Sequence, residues 1–196
     1  MVAFDFDGTL THRDSFAAFL AWRSGPARFA LSLLRLIPAA LAYLSHRDRG
    51  RLKAAAAGEF LKGVSRAELD VEAQRFATER ARRLFRPDAI HVWRRWQADG
   101  ARLVIVTASP EPIVAPFARG LGADLLIGTR LVFDEEERVT GALEGVNCRG
   151  QEKVERLKAA FGDDMRLEAA YGDSEGDTEM LALADEPGFK VFGGRP

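Results

Sequence analysis

Two aspartates two residues apart, Asp5 and Asp7, end an apolar run and precede a Gly8-Thr9 turn. In an extended segment that spacing points both carboxylates the same way. Carboxylates so crowded repel unless a cation lies between them or one takes a proton. Asp173, in Gly172-Asp173-Ser174-Glu175-Gly176-Asp177, adds a third acid from a distant part of the chain. Hard oxygen ligands with open positions suit Mg²⁺, which keeps several waters and is completed by a substrate phosphate. A carboxylate left free by the metal is a nucleophile. The Gly8-Thr9 turn offers backbone N–H groups to phosphate oxygens. Thr107 adds a hydroxyl and Lys153 a positive charge. All these groups stabilise negative charge on a transferring phosphoryl group. Each alone also fits a plainer account: a turn, a strand-end hydroxyl, a solvated helix lysine, a loop acid or helix cap. Their joint occurrence, each at an expected strand end or helix start, is what points to phosphoryl chemistry.

The elements that must position these residues alternate. Met1–Asp5 reads as a first strand. From Asp14 to about Arg86 the pattern is helical, with apolar spacings of three and four. Gly25-Pro26 breaks that stretch, Ser45 to Gly50 reads as a turn, and Ser65 to Glu68 as a capping box. A helix follows from Pro87 to near Gly100. Strands are expected at Arg102–Val106, Ala123–Ile127, Leu167–Tyr171 and Lys190–Phe192, with a hairpin of Thr129–Phe133 against Arg138–Ala142. Helices are expected at Pro110–Arg119, Gln151–Phe161 and Asp177–Ala184. Such alternation predicts an α/β fold, a parallel sheet with helices on both faces, and an all-helical insert after the first strand. In such sheets ligands bind beyond the carboxyl ends of the strands, where Asp5, Thr107 and Asp173 fall.

The 196 residues carry 28 Lys+Arg against 29 Asp+Glu, a net charge of -1, with 47% hydrophobic residues. One cysteine, Cys148, excludes a disulfide framework and a CxxC zinc site. His12, His46 and His91 are too scattered for a histidine metal centre. Charge balances only in sum: between Arg13 and Arg86 there are 15 basic and 7 acidic residues, a local net of +8. This reads either as solvated helix faces or as a surface for an anionic partner. Nucleic acid is not expected, because few aromatic residues interleave the arginines between Arg75 and Arg95. Gly172 to Gly176 matches a G-x-S-x-G elbow, but no histidine follows Ser174 to serve as its base. The G-x-x-x-x-G-K-[ST] and G-x-G-x-x-G nucleotide fingerprints do not occur. With no secretory pattern and no long charge-free apolar run, the expectation is a soluble, cytoplasmic protein, at most peripheral at the inner face of a membrane.

Four segments in order carry a family resemblance: AFDFDGTLT at Ala3–Thr11, LVIVTASP at Leu103–Pro110, the stretch from Cys148 to Lys153, and YGDSEGDTEML at Tyr171–Leu181. The chain resembles the haloacid dehalogenase superfamily of phosphatases, subfamily IB. The resemblance implies a Rossmann-like core, residues 1–12 and 87–196, with residues 13–86 as a helical cap that closes over the site. It implies that Asp5 forms an aspartyl-phosphate and that Asp7 is the general acid and then the base. Asp5, Asp7 through its backbone carbonyl, and Asp173 would hold Mg²⁺, supported by Ser174 and Asp177. Gly8, Thr9, Thr107, Ala108 and Lys153 would bind the phosphoryl group. Asp7 speaks against dehalogenation, since the superfamily's dehalogenases lack it.

The expected reaction is therefore Mg²⁺-dependent hydrolysis of a phosphate monoester. Phosphoserine phosphatases place a glutamate shortly after the first motif. Here that stretch, His12 to Trp22, contains none, and Asp14 comes early. Its aromatic entry (Phe16, Phe19, Trp22) and the apolar run Phe29–Leu44 look more like the phosphatidylglycerophosphatase C group. That run, interrupted by Arg35 and Pro38, is either a helix buried in the cap or an interfacial helix that meets an anionic membrane surface. The alternatives are a soluble-metabolite phosphatase and a non-catalytic binding protein on the same fold. The sequence leaves the oligomeric state open.

Overall fold

The computed structural model describes residues 1–46 and 48–196. Strand β1, Val2–Phe4, is fully buried. It pairs in parallel with β2 (Leu103–Pro110) on one side and β5 (Leu167–Gly172) on the other. With β3 (Leu125–Phe133), β4 (Val139–Glu144) and β6 (Ala184–Phe189), the sheet order is β4-β3-β2-β1-β5-β6. Only the β3–β4 pair is antiparallel. The strand after β1 in the sheet lies to one side and the next parallel partner to the other. That reversal opens a crevice at the carboxyl end of β1, where Asp5 emerges.

Alternating residues of β2 serve two cores. Leu103 and Ile105 join Phe4, Trp93 and Phe117 on one face, while Val104 and Val106 join Leu157, Met180 and Cys148 on the other. Phe4 sits between Trp93, at 5.0 Å between ring centroids, and Tyr171, at 4.5 Å. Helices α5 (Pro87–Ala98) and α6 (Glu111–Leu121) supply Trp93 and Phe117 to the first face. Helices α7 (Gln151–Phe161) and α8 (Thr178–Leu181) supply Leu157 and Met180 to the second.

Between β1 and α5 lie four further helices: α1 (Ser15–Arg35), α2 (Ile37–His46), α3 (Arg49–Leu61) and α4 (Arg66–Leu84). Gly25, at φ 72°, kinks α1 where the Gly25-Pro26 break is expected. Asp14, Asp48 and Ser65 cap α1, α3 and α4, each accepting a backbone N–H from the first turn. For Ser65 the donor is Glu68, as the capping-box reading expects. Of the turn expected at Ser45 to Gly50, Ser45 and His46 close α2 and Arg49 and Gly50 open α3; Arg47 lies outside the described residues. The insert meets the sheet domain twice. Residues 10–12 pair with residues 84–86, through His12 N–H to Leu84 O and Arg86 N–H to Leu10 O, both 2.9 Å. The β3–β4 hairpin pairs with the α3–α4 loop, through Gly63 N–H to Val139 O, Val139 N–H to Val64 O and Arg66 N–H to Glu137 O, all 2.8 Å. There α3 and β4 approach at two glycines: a Cβ on Gly141 would stand 2.6 Å from Gly58 Cα.

Three expected elements differ. The strand at Ala123–Ile127 and the first hairpin strand are one continuous strand, β3; Gly128 lies inside it because Ser109 O and Glu111 leave no room for a side chain. The last strand is Ala184–Phe189 rather than Lys190–Phe192. It carries Pro187, which an edge strand tolerates. The helix expected at Asp177–Ala184 is a 3₁₀ turn, Glu175–Asp177, followed by the short α8.

In α2 no residue is buried. Leu31 and Leu34 at the end of α1, and Leu41 and Leu44 in α2, are between 51% and 71% exposed. Of the two readings of the run Phe29–Leu44, burial in the cap does not describe α2, although Phe29 and Leu36 pack against the core. No single helix among the described residues is long and apolar enough to cross a membrane; α1 and α2 pass that test only jointly and are bent by 52°.

Candidate functional site

Three strand ends converge on one crevice. Asp5 leaves β1, Thr107 lies in β2 and Asp173 follows β5. Lys153, in the first turn of α7, is 1% exposed and spends all three of its N–H donors there. Its Nζ donates to Asp5 Oδ1 at 2.6 Å, to Val106 O at 2.6 Å and to Asp177 Oδ1 at 2.7 Å. Burial pulls the ammonium's pKa down, but the Asp5 and Asp177 carboxylates outweigh it and hold the pKa above the usual lysine value. The lysine therefore stays charged.

Asp177 is saturated. Besides Lys153 it accepts Asp173 N–H at 3.2 Å, Ser174 N–H at 2.9 Å and Ser174 Oγ at 3.0 Å. Those four donors outweigh burial and keep its pKa low. They also form a capping box that fixes the loop carrying Asp173. Asp173 itself accepts no hydrogen bond among the described residues. Its carboxylate stands where a Cβ on Gly8 would be, 2.1 Å from that position, so the turn at φ +87° admits only glycine.

Asp5 Oδ2 has only Thr9 Oγ1 at 3.4 Å. Burial, aided by Asp177 and Asp7, pushes the Asp5 pKa up to about 7 despite Lys153. Burial likewise raises Asp173. Oxygens of Asp5, Asp173 and Asp177 lie within 4.8 Å of one another. Hard, crowded carboxylate oxygens, two of them with raised pKa, form a donor set that fits a small divalent cation such as Mg²⁺. Since Asp177 is already saturated, Asp5 and Asp173 are the side chains with oxygen to offer.

Asp7 faces the other way, toward the insert. Oδ1 accepts Ser15 N–H at 2.7 Å, and Oδ2 accepts the Ser109 hydroxyl. Burial, then Asp14, raises its pKa to about 6. Thr107 is fully buried, and its Oγ1 accepts Ser109 N–H at 3.0 Å, leaving its own proton available.

Around these residues is a cavity of about 630 Å³. Asp5, Asp7, Thr107, Ala108, Lys153, Asp173, Ser174 and Asp177 all border it; of the other expected site residues, Gly8 and Thr9 form the adjoining turn. Its far wall is apolar, built from Leu33, Leu36, Ile37, Tyr43 and Leu52 of the insert.

Two residues that border the chemistry were not singled out in the sequence. Lys53 of α3 reaches across to donate to Ala108 O; its pKa is lowered by burial, against the pull of Asp14, Asp7 and Asp5. Its only signal is a lone cation before four alanines. Ser109, bonded to Asp7, stands two residues after Thr107 on the same strand, and that spacing could have marked it. Asp14, set beside the phosphoserine glutamate by position, caps α1 through Ala17 N–H at 2.7 Å.

The haloacid dehalogenase-like hydrolase family model matches residues 2–182. The chain belongs to the haloacid dehalogenase-like hydrolases. Within that family it is a phosphatase. It is 61% identical over its whole length to protein CicA of Caulobacter vibrioides, covering 88% of that protein. It is 30% identical to a phosphoserine phosphatase of Halobacterium salinarum, over 94% of this chain and 82% of that one. Among solved structures, a protein of unknown function from Bordetella pertussis Tohama I superposes with a TM-score of 0.77 at 26% identity, covering 93% of this chain and 85% of that one.

Proposed function

We propose that this phosphatase hydrolyses a membrane-borne, anionic phosphate monoester, such as phosphatidylglycerophosphate, with Mg²⁺ and through an aspartyl-phosphate. The observation that carries the reading is the shape of the cavity. Its polar end holds the carboxylates and Lys153; its other end is an apolar wall from α1, α2 and α3. An anionic head with an apolar tail matches both ends. The helices that furnish this wall also expose Leu31, Leu34, Leu41 and Leu44, an apolar face of the kind that enters a bilayer interface. Arg28 and Arg49 on the same insert form no ion pair among the described residues. Basic residues held against an anionic surface contribute roughly 1 kcal/mol each.

In this mechanism residues 13–86 act as the cap, and Asp5 Oδ2 attacks phosphorus as the bond to the ester oxygen breaks. Asp7 gives that oxygen its proton, then takes one from the water that attacks the acyl phosphate. A pKa near 6 serves both duties, because acid and base forms coexist near neutrality. The Thr107 hydroxyl and the N–H groups of Gly8, Thr9 and Ala108 hold the phosphoryl oxygens, and the Lys153 ammonium, its three donors already given to Asp5, Val106 O and Asp177, adds positive charge beside them. Asp5, Asp173 and the Asp7 carbonyl would hold Mg²⁺, with Ser174 and Asp177 fixing the loop; the ion supplies positive charge that offsets the phosphoryl oxygens.

A soluble-metabolite reading is favoured by the Halobacterium phosphoserine phosphatase relative. The two readings separate in one assay: phosphatidylglycerophosphate in mixed micelles against phosphoserine, each with Mg²⁺ and with EDTA. The lipid reading expects faster turnover of the lipid phosphate, abolished in Asp5→Asn and by EDTA. It also expects L41E/L44E to lose lipid turnover while keeping that of a small aryl phosphate. Faster hydrolysis of phosphoserine defeats the lipid reading, and turnover by Asp5→Asn defeats the covalent mechanism.

A further inference from the structure

Behind the paired crossings at residues 10–12 and 84–86 is a second cavity, of about 730 Å³, separate from the one at Asp5. Five basic side chains border it: His12, Arg13, Arg80, Arg83 and Arg195. No Asp or Glu does. Among the described residues none of the four arginines is in an ion pair. Other arginines of the insert are matched, Arg23 with Glu68 and Glu72, Arg35 with Glu59 and Arg75 with Glu79, and the unmatched Arg28, Arg49 and Arg82 lie outside this cavity. Glu79, next to Arg80 in the chain, is already taken by Trp22 Nε1 and Arg75 Nε, both at 2.8 Å.

Arg80 Nε is buried and has no hydrogen-bond partner among the described residues. A buried donor left so is costly, and a guanidinium is charged at every working pH. Arg13, Arg83 and Arg195 are exposed and share the space with Arg80. With no Asp or Glu around them the like charges repel, and the carboxyl group of Pro196, which also borders the space, makes no ion pair with them among the described residues. An anion that accepts from several at once removes both costs. Guanidinium forks match the oxygens of a phosphate group in geometry as well as charge.

We propose that this cavity binds a phosphate-bearing anion of two or more negative charges, at a site distinct from the catalytic crevice. The ligand is either a free polyphosphate or the phosphomonoester head of a lipid. The site adjoins the catalytic one in the chain: Thr11 Oγ1 donates to Arg13 O at 2.7 Å, and Ser15 N–H holds Asp7.

Trp22 forms part of the cavity wall, whereas Trp93 and Trp96 are buried on α5. Tryptophan emission therefore reports on this site. The full chain in EDTA, where the crowded catalytic carboxylates repel anions, is titrated with pyrophosphate, and separately with phosphatidylcholine vesicles with and without phosphatidic acid. Saturable binding is expected, weakened roughly tenfold in Arg80→Met and in Arg83→Met, the loss of one charge-assisted pair of hydrogen bonds. Arg82→Met, exposed on the same helix and outside the cavity, is expected to bind as the parent does. Removing a charge from an uncompensated cluster breaks no ion pair, so the variants should melt no lower than the parent; Arg13→Gln repeats the test should one fail to fold. Pyrophosphate binding identifies a free polyanion, and binding to phosphatidic acid vesicles alone identifies a lipid head. Binding of neither probe, or binding that Arg80→Met and Arg83→Met weaken no more than Arg82→Met does, overturns the site.

Discussion

Replacing Lys153 by Met would keep most of the side-chain volume and remove the charge between Asp5 and Asp177. Three hydrogen bonds would go, to Asp5 Oδ1, Val106 O and Asp177 Oδ1. Asp5 is 6% exposed and Asp177 1%, so water cannot replace the lysine without a rearrangement. Breaking a buried ion pair from one side costs about 3–5 kcal/mol, chiefly because the remaining charge stays buried. Asp177 retains three other donors, which argues for the lower half of that range. In a chain of this size 1 kcal/mol moves the melting temperature by roughly 2–4 °C, so a fall of roughly 10 °C is expected in metal-free buffer at pH 7. The deficit should shrink as pH falls. Without the lysine both carboxylates have raised folded-state pKa values, so the folded form binds protons that the unfolded form releases, and acid favours it. Calorimetry of the parent, Lys153→Met and Lys153→Met/Asp5→Asn between pH 5 and 8 measures this. The double variant should recover part of the loss, since it removes a stranded charge. A single variant that melts within experimental error of the parent at pH 7, or a deficit that grows in acid, would refute the reasoning.

Metal-free stability of the parent should itself fall as pH rises from about 4 to about 7. The Asp5 pKa is raised from 3.8 to about 7, so the folded protein holds a proton through that window that the unfolded chain loses; the effect is at most about 4 kcal/mol. Mg²⁺ should reverse the trend, giving a larger melting shift at pH 7 than at pH 5, and equal shifts at both would count against a metal held by Asp5. Gly8→Ala places a Cβ against Asp173 and in a positive-φ turn; the strain is of order 1–3 kcal/mol. It should raise the Mg²⁺ concentration needed for half-maximal turnover, measured by steady-state kinetics.

Much of the candidate site could be read from the chain because its residues are tied to strand ends. Asp5, Asp7, Thr107 and Asp173 sit where short apolar runs stop, and a parallel sheet brings such points to one rim. Lys153 followed from its place in a helix start ahead of a strand. Lys53 could not be read that way. It comes from a helix whose direction depends on how the insert packs, and nothing local says that α3 aims a cation at Ala108. The run Phe29–Leu44 stayed open between two readings for a related reason. Its composition suits a buried helix and an interfacial one equally, and only the absence of a covering element leaves α2 exposed. Continuous β3 was hidden by Gly128, which marks a close approach to Ser109 O rather than a break.

The hairpin of β3 and β4 has a consequence for how a substrate gets in. Were the insert to swing about the crossings at residues 10–12 and 84–86, the three backbone bonds from the α3–α4 loop to the hairpin would have to break, along with the Gly58–Gly141 contact. Helix α2 has no such anchor and buries none of its residues. The easier movement is therefore a flap of α2 and the end of α1, while α3 and α4 stay docked as part of the frame. Amide hydrogen exchange would be fast across Ile37–His46 and slow at Val64 and Val139, whose amides lie in this docked region. On that division of labour the enzyme admits its substrate through a side wall and keeps the polar end of the crevice assembled between turnovers.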